Sequence, residues 1–270
     1  MNWNTLFTRE KKISPAETRR LLESSAFAKY QLLDVRQPKE YEEAHLPGAI
    51  LIPLADLNHK LPTLDKNMPV IVYCRSGVRS KAACQILNQS GFSECFDMSG
   101  GILKWDGAEA VGGEQFGLEH FMSGDFSNAF SMAYQMEANL KQFYMVLSED
   151  CQSSSEKKML NEMALLEDGH MAKLRSKYKQ QAVTSETAAD IIEGGMTGAE
   201  IRSALAGTLN SAEDVLHLAM KLEAQAFDLY SRLSKEHQGS DSSAFFNEMS
   251  REEQAHLQRL SKQLDKLLEN

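Results

Sequence analysis

The sequence has no long hydrophobic run and few cysteines. No apolar stretch approaches the roughly 18 residues that a membrane-spanning helix needs. The opening residues, MNWNTLFTREKK, contain no continuous apolar segment of the kind found in secretory signals. Cys74, Cys84, Cys95 and Cys151 are too few for a disulfide framework and include no CxxC pair. These absences predict a cytoplasmic protein with reduced thiols and no membrane partner.

The sequence also lacks an excess of positive charge, since 29 Lys and Arg stand against 38 Asp and Glu. The charge is unevenly divided. Residues 1–110 hold 14 basic against 13 acidic residues, whereas residues 111–270 hold 15 against 25. Without a broad basic surface, we expect no nucleic-acid partner. The acidic excess of the second part indicates either a solvated surface or buried carboxylates that need a cation.

The first part of the chain, residues 1–108, alternates short apolar runs with helical patterns. Ser14 at a helix N-cap, Pro15 at the first helical position and Glu17 two residues later mark the start of a helix. The apolar runs, which are apolar on both faces, lie at 30–35, 49–54, 70–74 and 94–98. Such runs predict an α/β domain with a mostly parallel sheet covered on both sides.

Strand patterns disappear after a linker at 109–125 that is rich in glycine and acidic residues. Four long helical patterns follow, at 126–149, 155–178, 211–236 and 241–268. The segment at 179–210, between the second and third patterns, is expected to contain short helices. The predicted fold is therefore multidomain, with an all-α four-helix bundle over residues 126–270.

One cysteine, Cys74, ends a predicted strand and precedes the basic loop CRSGVRS and a helix. The carboxyl end of a parallel strand is where α/β sheets place ligands. Backbone N–H groups, the helix N-terminus, Arg75 and Arg79 all favour a thiolate, and Gly77 allows a tight turn. The pattern predicts a reactive thiol of lowered pKa. The alternative is a buried strand-end cysteine beside solvated arginines.

The helical part repeats itself at an offset of 86 residues. Each copy has a Glu-x-x-His pair and, 30 residues before it, a single glutamate; the two sets are Glu137, Glu167 and His170, and Glu223, Glu253 and His256. Residues i and i+3 share a helix face, so four helices can direct four carboxylates and two imidazoles to one place. This is the ligand set of ferritin-like di-iron and di-manganese bundles. The alternative is two solvated turns of charge.

The loop CRSGVRS at 74–80 resembles the active-site loop of rhodanese-type sulfurtransferases. LLDVRQPKEYEEAHLPGAILIPL at 32–54 and MSGGILKW at 98–105 are similar to two further rhodanese segments. The resemblance covers about residues 12–106. It implies a rhodanese fold in which Cys74 is catalytic and carries a persulfide from a thiosulfate or persulfide donor to a thiol acceptor.

The same resemblance implies that the loop binds the substrate. The implied binding residues are Arg75, Ser76, Gly77, Val78, Arg79 and Ser80. Within this set, the two arginines would orient an anionic donor and the N–H groups would stabilise the persulfide. Asp34 and Arg36, in the second segment, either stabilise the fold near the active-site face or contact the substrate.

Residues 120–268 resemble the rubrerythrin branch of the ferritin-like superfamily. The resemblance implies that the six Glu and His residues bind two iron ions per chain, with manganese as the alternative metal. It further implies a centre that reacts with peroxide, dioxygen or a sulfur species. Tyr144 and Tyr230 either donate hydrogen bonds to ligand carboxylates or pack the core.

Two departures from rubrerythrins limit what the resemblance implies. The chain has no paired CxxC motifs of a rubredoxin module, so we expect an external electron donor. Ala226 stands where rubrerythrins tend to carry an extra glutamate, which favours a symmetric six-ligand centre. Because ferritin-like bundles often pair, we expect a homodimer. The sequence therefore predicts a sulfurtransferase fused to a di-iron oxidoreductase. The alternative is a non-catalytic iron- or sulfur-binding or sensing protein, whose bundle is a carrier or a dimerisation module.

Overall fold

The computed structural model describes residues 11–118, 129–151, 154–178, 191–192, 195–205 and 209–268. The backbone divides into two units, Met1–Glu114 and Gln115–Asn270. Residues 119–125 of the predicted linker lie outside the described residues. None of the described helices combines the length and the apolar character needed to cross a bilayer.

The first unit is built on a sheet of five parallel strands, in the order β1-β5-β4-β2-β3. The strands are β1 (Lys11–Ile13), β2 (Gln31–Asp34), β3 (Ile50–Leu51), β4 (Val70–Tyr73) and β5 (Cys95–Met98). Every residue of β4, the central strand, is buried, because the run VIVY is apolar on both faces. The predicted parallel sheet is therefore confirmed. Strand β1 was not predicted, since it is a three-residue edge strand with two exposed lysines.

Four helices accompany the sheet: α1 (Pro15–Leu22), α2 (Pro38–Glu43), α3 (Leu57–Lys60) and α4 (Val78–Gln89). The predicted start of α1 is confirmed as a capping box. The Glu17 N–H donates to Ser14 Oγ at 3.2 Å, and the Ser14 N–H donates to Glu17 Oε2 at 2.9 Å. These bonds satisfy two backbone donors that a helix terminus leaves without intrahelical partners.

Four long helices form the second unit, as the sequence predicts. They are α5 (Ala129–Asp150), α6 (Ser154–Lys177), α8 (Ala212–Glu236) and α9 (Asp241–Leu268), and the short α7 (Gly198–Leu205) precedes the second pair. Residues 126–128 of the first predicted helix lie outside the described residues. The segment at 179–210, which the sequence predicts to contain short helices, includes α7 and also a short hairpin. Ile191–Ile192 (β6) pairs antiparallel with Met196–Thr197 (β7), a hairpin too short to leave a periodic pattern.

Two apolar clusters fill the second unit, and the predicted metal ligands lie between them along every long helix. One cluster includes Met136 of α5, and the other begins on the same helix at Leu140. Glu137 occupies the boundary, and the five other glutamates and histidines occupy the equivalent boundaries on α6, α8 and α9. The six glutamates and histidines therefore form a polar layer between the two apolar clusters.

Candidate sulfur and metal sites

Cys74 directly follows the central strand β4 and is buried at the carboxyl end of the sheet. Gly77 turns the chain behind the thiol with a φ of +95°, a conformation that glycine adopts without steric cost. The Gly77 N–H donates a hydrogen bond of 3.1 Å to Cys74 Sγ, and Ser80 Oγ lies 3.6 Å from the same sulfur. The loop therefore wraps the sulfur as the sequence predicts.

The surroundings of Cys74 favour its thiolate. Burial raises the pKa of the thiol. Hydrogen bonds to the sulfur lower the pKa by more; they come from the backbone and hydroxyl of Ser80 and from the N–H groups of Gly77 and Ser76. The pKa of Cys74 therefore falls below its usual value. A thiolate is the form of cysteine that acts as a nucleophile, so the loop is suited to sulfur chemistry.

The segment after β5 forms the floor of the thiol loop. The Ile102 N–H donates to the Cys74 carbonyl at 2.9 Å, and the Leu103 N–H donates to the Arg75 carbonyl at 3.1 Å. Gly101 has a φ of +61°, and a Cβ at this position would overlap the backbone of Cys74 and Arg75. Gly101, the second glycine of MSGGILKW, is therefore required by the close approach of the two backbones.

The remaining loop residues have different environments. Arg75, Ser76 and Val78 are exposed, and no ion pair joins Arg75 to any residue that the structure describes. Arg79 is half-buried, and its guanidinium donates to both carboxylate oxygens of Glu40, at 2.6 and 2.8 Å. The two arginines of the loop therefore differ, because one is open to solvent and the other is engaged by a carboxylate.

Asp34 and Arg36 stabilise the fold. Arg36 Nε donates to both oxygens of the Asp34 carboxylate, at 3.0 and 2.9 Å, and its Nη2 donates to the Ala44 carbonyl at 2.6 Å. Both side chains are buried. The alternative of substrate contact by Asp34 and Arg36 is therefore not favoured.

His45 is also buried. Its ring stacks on Tyr41, and its backbone exchanges two hydrogen bonds with Ala110, a residue of the predicted linker.

The six predicted metal ligands form two buried clusters, each of two glutamates and one histidine. The clusters are Glu137, Glu167 and His170, and Glu223, Glu253 and His256, and within each cluster one atom per residue lies within 4.8 Å of the others. His170 Nδ1 lies 3.2 and 2.8 Å from its two carboxylates, and His256 Nδ1 lies 3.2 and 2.9 Å from its own. The two imidazole rings stack at 3.8 Å, so the clusters adjoin.

The donor set fits a pair of metal cations. Four carboxylates in an apolar interior are costly without positive charge. Burial raises the pKa of Glu223, but the charge and hydrogen bond of His256 outweigh it and hold the pKa at about 2. Glu167 Oε2 is buried and accepts no hydrogen bond from a described residue, although His170 Nδ1 lies 2.8 Å away. The carboxylate oxygen and the imidazole nitrogen of this pair lie close enough together to bind one ion.

A narrow cavity opens from the clusters between α6 and α9. Its lining includes the buried His170 and His256, the apolar Leu174 and Met249, and the less buried Lys173, Lys177, Tyr178, Glu248 and Glu252. Lys173 pairs with Glu252 at 2.8 Å and Lys177 pairs with Glu248, so two ion pairs between the helices flank the opening. Charged and apolar side chains therefore both line the cavity that adjoins the clusters.

Sequence reasoning did not find several residues around these sites. Glu40 is separated from Arg79 by 39 positions, and no local pattern links them. Asp97 accepts a hydrogen bond of 2.5 Å from Ser80 Oγ. Asp97 lies near the carboxyl end of β5, which pairs with β4, and this position could have indicated a place beside the thiol loop. Tyr144 and Tyr230, by contrast, were named from the sequence, and they are fully buried in the two apolar clusters, one in each.

Comparison with known proteins gives matches to both parts of the chain. The family model described as rhodanese-like domain matches residues 14–108, and the model described as rubrerythrin matches residues 214–270. YqhL of Bacillus subtilis is 40% identical over 31% of this chain and 66% of its own length. The putative sulfurtransferase YtwF of the same organism is 35% identical over 36% of this chain and 91% of its own length.

A third relative is the thiosulfate sulfurtransferase GlpE of Pseudoalteromonas translucida, with 31% identity over 36% of this chain and 90% of that protein. The chain thus spans nearly all of two relatives and 66% of YqhL. The chain belongs to the rhodanese family through residues 14–108, and it joins to that domain a rubrerythrin domain whose family model matches residues 214–270.

Proposed function

We propose that this chain transfers sulfane sulfur through a persulfide on Cys74 and holds a di-metal carboxylate centre in its helical unit. The observation that carries the first activity is the sulfur of Cys74, which accepts the Gly77 N–H at 3.1 Å within a loop that lowers its pKa. Relatives named as sulfurtransferases support this assignment.

The sulfur transfer has two steps. The Cys74 thiolate attacks the outer sulfur of the donor, the donor S–S bond breaks, and the leaving group (sulfite from thiosulfate) departs with the bonding electron pair. An acceptor thiolate then attacks the outer sulfur of the Cys74 persulfide and releases the Cys74 thiolate. The N–H groups around the sulfur stabilise negative charge in both steps. Arg75, exposed at the rim, attracts anionic donors.

In the helical unit, we propose that the two Glu-Glu-His clusters bind one metal ion each, iron or manganese. Bound iron would supply electron exchange with peroxide, dioxygen or a sulfur species. The four carboxylates neutralise the cations, and each histidine presents Nδ1 to its cluster. The dry clusters on either side exclude bulk water, and electrons would come from a donor outside the chain. We also propose a homodimer, which light scattering of purified protein tests.

A second candidate function is metal binding without redox turnover. The observation that favours it is Ala226, which is fully buried one turn after Glu223 and offers no further carboxylate. In that case the bundle is a carrier or a sensor. Steady reduction of peroxide by purified protein with an added reductase would contradict this second candidate.

Substitution of Cys74 tests the sulfurtransferase assignment. Cys74→Ser should reduce thiocyanate formation from thiosulfate and cyanide to background, because serine cannot form a persulfide. Its metal content should stay at two ions per chain. Cys151→Ser, at the half-exposed cysteine of the helical unit, is the matched control and should keep full activity. Activity in Cys74→Ser, or loss of its metal, would contradict the proposal.

Metal analysis of anaerobically purified protein tests the second site. We expect about two ions per chain, and optical spectra that change on addition of peroxide. Glu253→Gln, which removes one carboxylate of one cluster, should lower the bound metal. A metal content below one ion per chain in the wild-type protein would refute the di-metal assignment and favour a bundle that serves as a dimerisation module.

A further inference from the structure

The second arginine of the thiol loop, Arg79, is engaged by a carboxylate of the same chain. Arg79 Nη1 donates to Glu40 Oε2 at 2.6 Å, and Arg79 Nη2 donates to Glu40 Oε1 at 2.8 Å. These two parallel bonds use the edge of the guanidinium that recognises carboxylates and other planar anions. Glu40 lies in α2, so an element distant in sequence supplies the carboxylate that binds Arg79.

Glu40 and Arg79 form an ion pair of opposite charges at neutral pH. Hydrogen bonds from Arg79 hold the pKa of Glu40 at about 2, so the carboxylate remains ionised. The hydrogen bonds to Glu40 and, more weakly, the charge of Cys74 raise the pKa of Arg79. Arg79 and Glu40 together add no net charge beside the thiol. The exposed Arg75 is the loop guanidinium that approaches a donor without breaking an ion pair.

We propose that Glu40 is a specificity-determining residue that, by engaging Arg79, disfavours dianionic donors such as thiosulfate and favours persulfide donors. The inference rests on the proposed sulfur transfer through Cys74. A persulfide group, R–S–SH, carries at most one negative charge on its sulfur atoms, whereas thiosulfate carries two. The repulsion from Glu40 and the absence of a second free guanidinium therefore weigh more heavily on thiosulfate.

The two donor reactions differ in the charge they bring to the loop. With thiosulfate, the Cys74 thiolate and a dianion meet, the S–S bond breaks, and sulfite leaves with the electron pair. With R–S–SH, the thiolate attacks the terminal sulfur and R–S⁻ leaves with the electron pair. Cys74–S–SH then releases its proton to water. Until that proton leaves, the second reaction holds one negative charge at the loop, whereas the first holds three, so the second needs less positive charge than the first.

The test compares two donors in the full-length protein. Glu40→Gln frees Arg79, and kcat/KM for thiosulfate should rise about tenfold, mainly through KM. The value for 2-hydroxyethyl persulfide should change less than about twofold. The rise should shrink in 0.5 M salt, because a half-exposed charge is screened. Glu43→Gln, which removes the same charge from an exposed position of α2, is the matched control and should change neither value.

Glu40→Asp keeps the negative charge, so it should keep the wild-type preference for the persulfide over thiosulfate. This variant separates a role of Glu40 in donor specificity from a role in the stability of the loop. The inference is overturned if Glu40→Gln changes both donors equally, or lowers both while Glu40→Asp restores them. Wild-type protein that transfers sulfur from neither donor would instead refute the proposed function. An active wild type with an unchanged donor ratio in Glu40→Gln refutes the inference alone.

Discussion

Removal of the metal ions should destabilise the helical unit and leave the rhodanese-like unit unchanged. A ligand that binds only the folded state adds about 2.7 kcal/mol when its free concentration is 100 times its Kd. Two ions, one in each Glu-Glu-His cluster, would together add about 5 kcal/mol. In a unit of about 150 residues, 1 kcal/mol moves Tm by about 2–4 °C. We therefore expect chelation to lower Tm by roughly 10–20 °C.

Scanning calorimetry of the full chain under anaerobic conditions measures this shift. The protein is scanned with excess Fe(II) or Mn(II) and again with a chelator, and only the transition of the helical unit should move. His170→Gln, which removes the imidazole of one cluster, should roughly halve the shift. His217→Gln is the matched control, because His217 is an exposed histidine of α8 outside both clusters, and it should keep the full shift.

Two results would refute this reasoning. If both transitions moved together, the ions would act on the chain as a whole and not at the buried clusters. If neither moved by more than about 2 °C, the clusters would not hold ions with useful affinity. A shift in His170→Gln as large as in the wild type would show that His170 does not bind a stabilising ion.

Three further substitutions test the sites. Gly101→Ala should lower the Tm of the rhodanese-like unit and abolish sulfur transfer, because its Cβ would overlap the loop backbone at a φ of +61°; wild-type activity would contradict the close packing. Ser80→Ala should raise the pKa of Cys74, since it removes a hydrogen bond that lowers it. Alkylation by iodoacetamide should then slow at pH values below that pKa, and an unchanged pH profile would contradict the assignment. Gly169→Ala should stabilise the helical unit by about 0.5–1 kcal/mol, because glycine costs helical stability and nothing lies within 4 Å of the added Cβ; a lower Tm would refute this.

The sequence predicts the ligands and the thiol because their chemistry requires local spacings. A Glu-x-x-His pair must lie on one helix face, and the 86-residue repeat shows which pairs belong together. Cys74 is marked by a strand end, a glycine and a helix start that are adjacent in the chain. Helical periodicity is likewise a local pattern. The bounds of α5, α6, α8 and α9 were therefore predicted to within about three residues.

The features that the sequence does not predict depend on distant partners. Strand β1 forms because Lys11 to Ile13 pair with β5, more than 80 residues later, and its two lysines give no apolar signal. The ion pair of Glu40 with Arg79 joins α2 to the thiol loop across 39 positions. A sequence shows which residues are charged, but only the folded backbone shows which charges neutralise one another.

The ligand repeat does not extend to the residues around the clusters, and this difference determines how the site is reached. The residue equivalent to Lys173, after 86 positions, is Arg259, and the equivalent of its partner Glu252 is Leu166. Leu166 packs against an apolar cluster, whereas the Lys173–Glu252 pair flanks the cavity. Metal ions in two matched clusters would therefore have matched ligands but unequal exposure to incoming molecules. Because the described cavity opens beside charged residues, we expect small polar reactants to enter between α6 and α9.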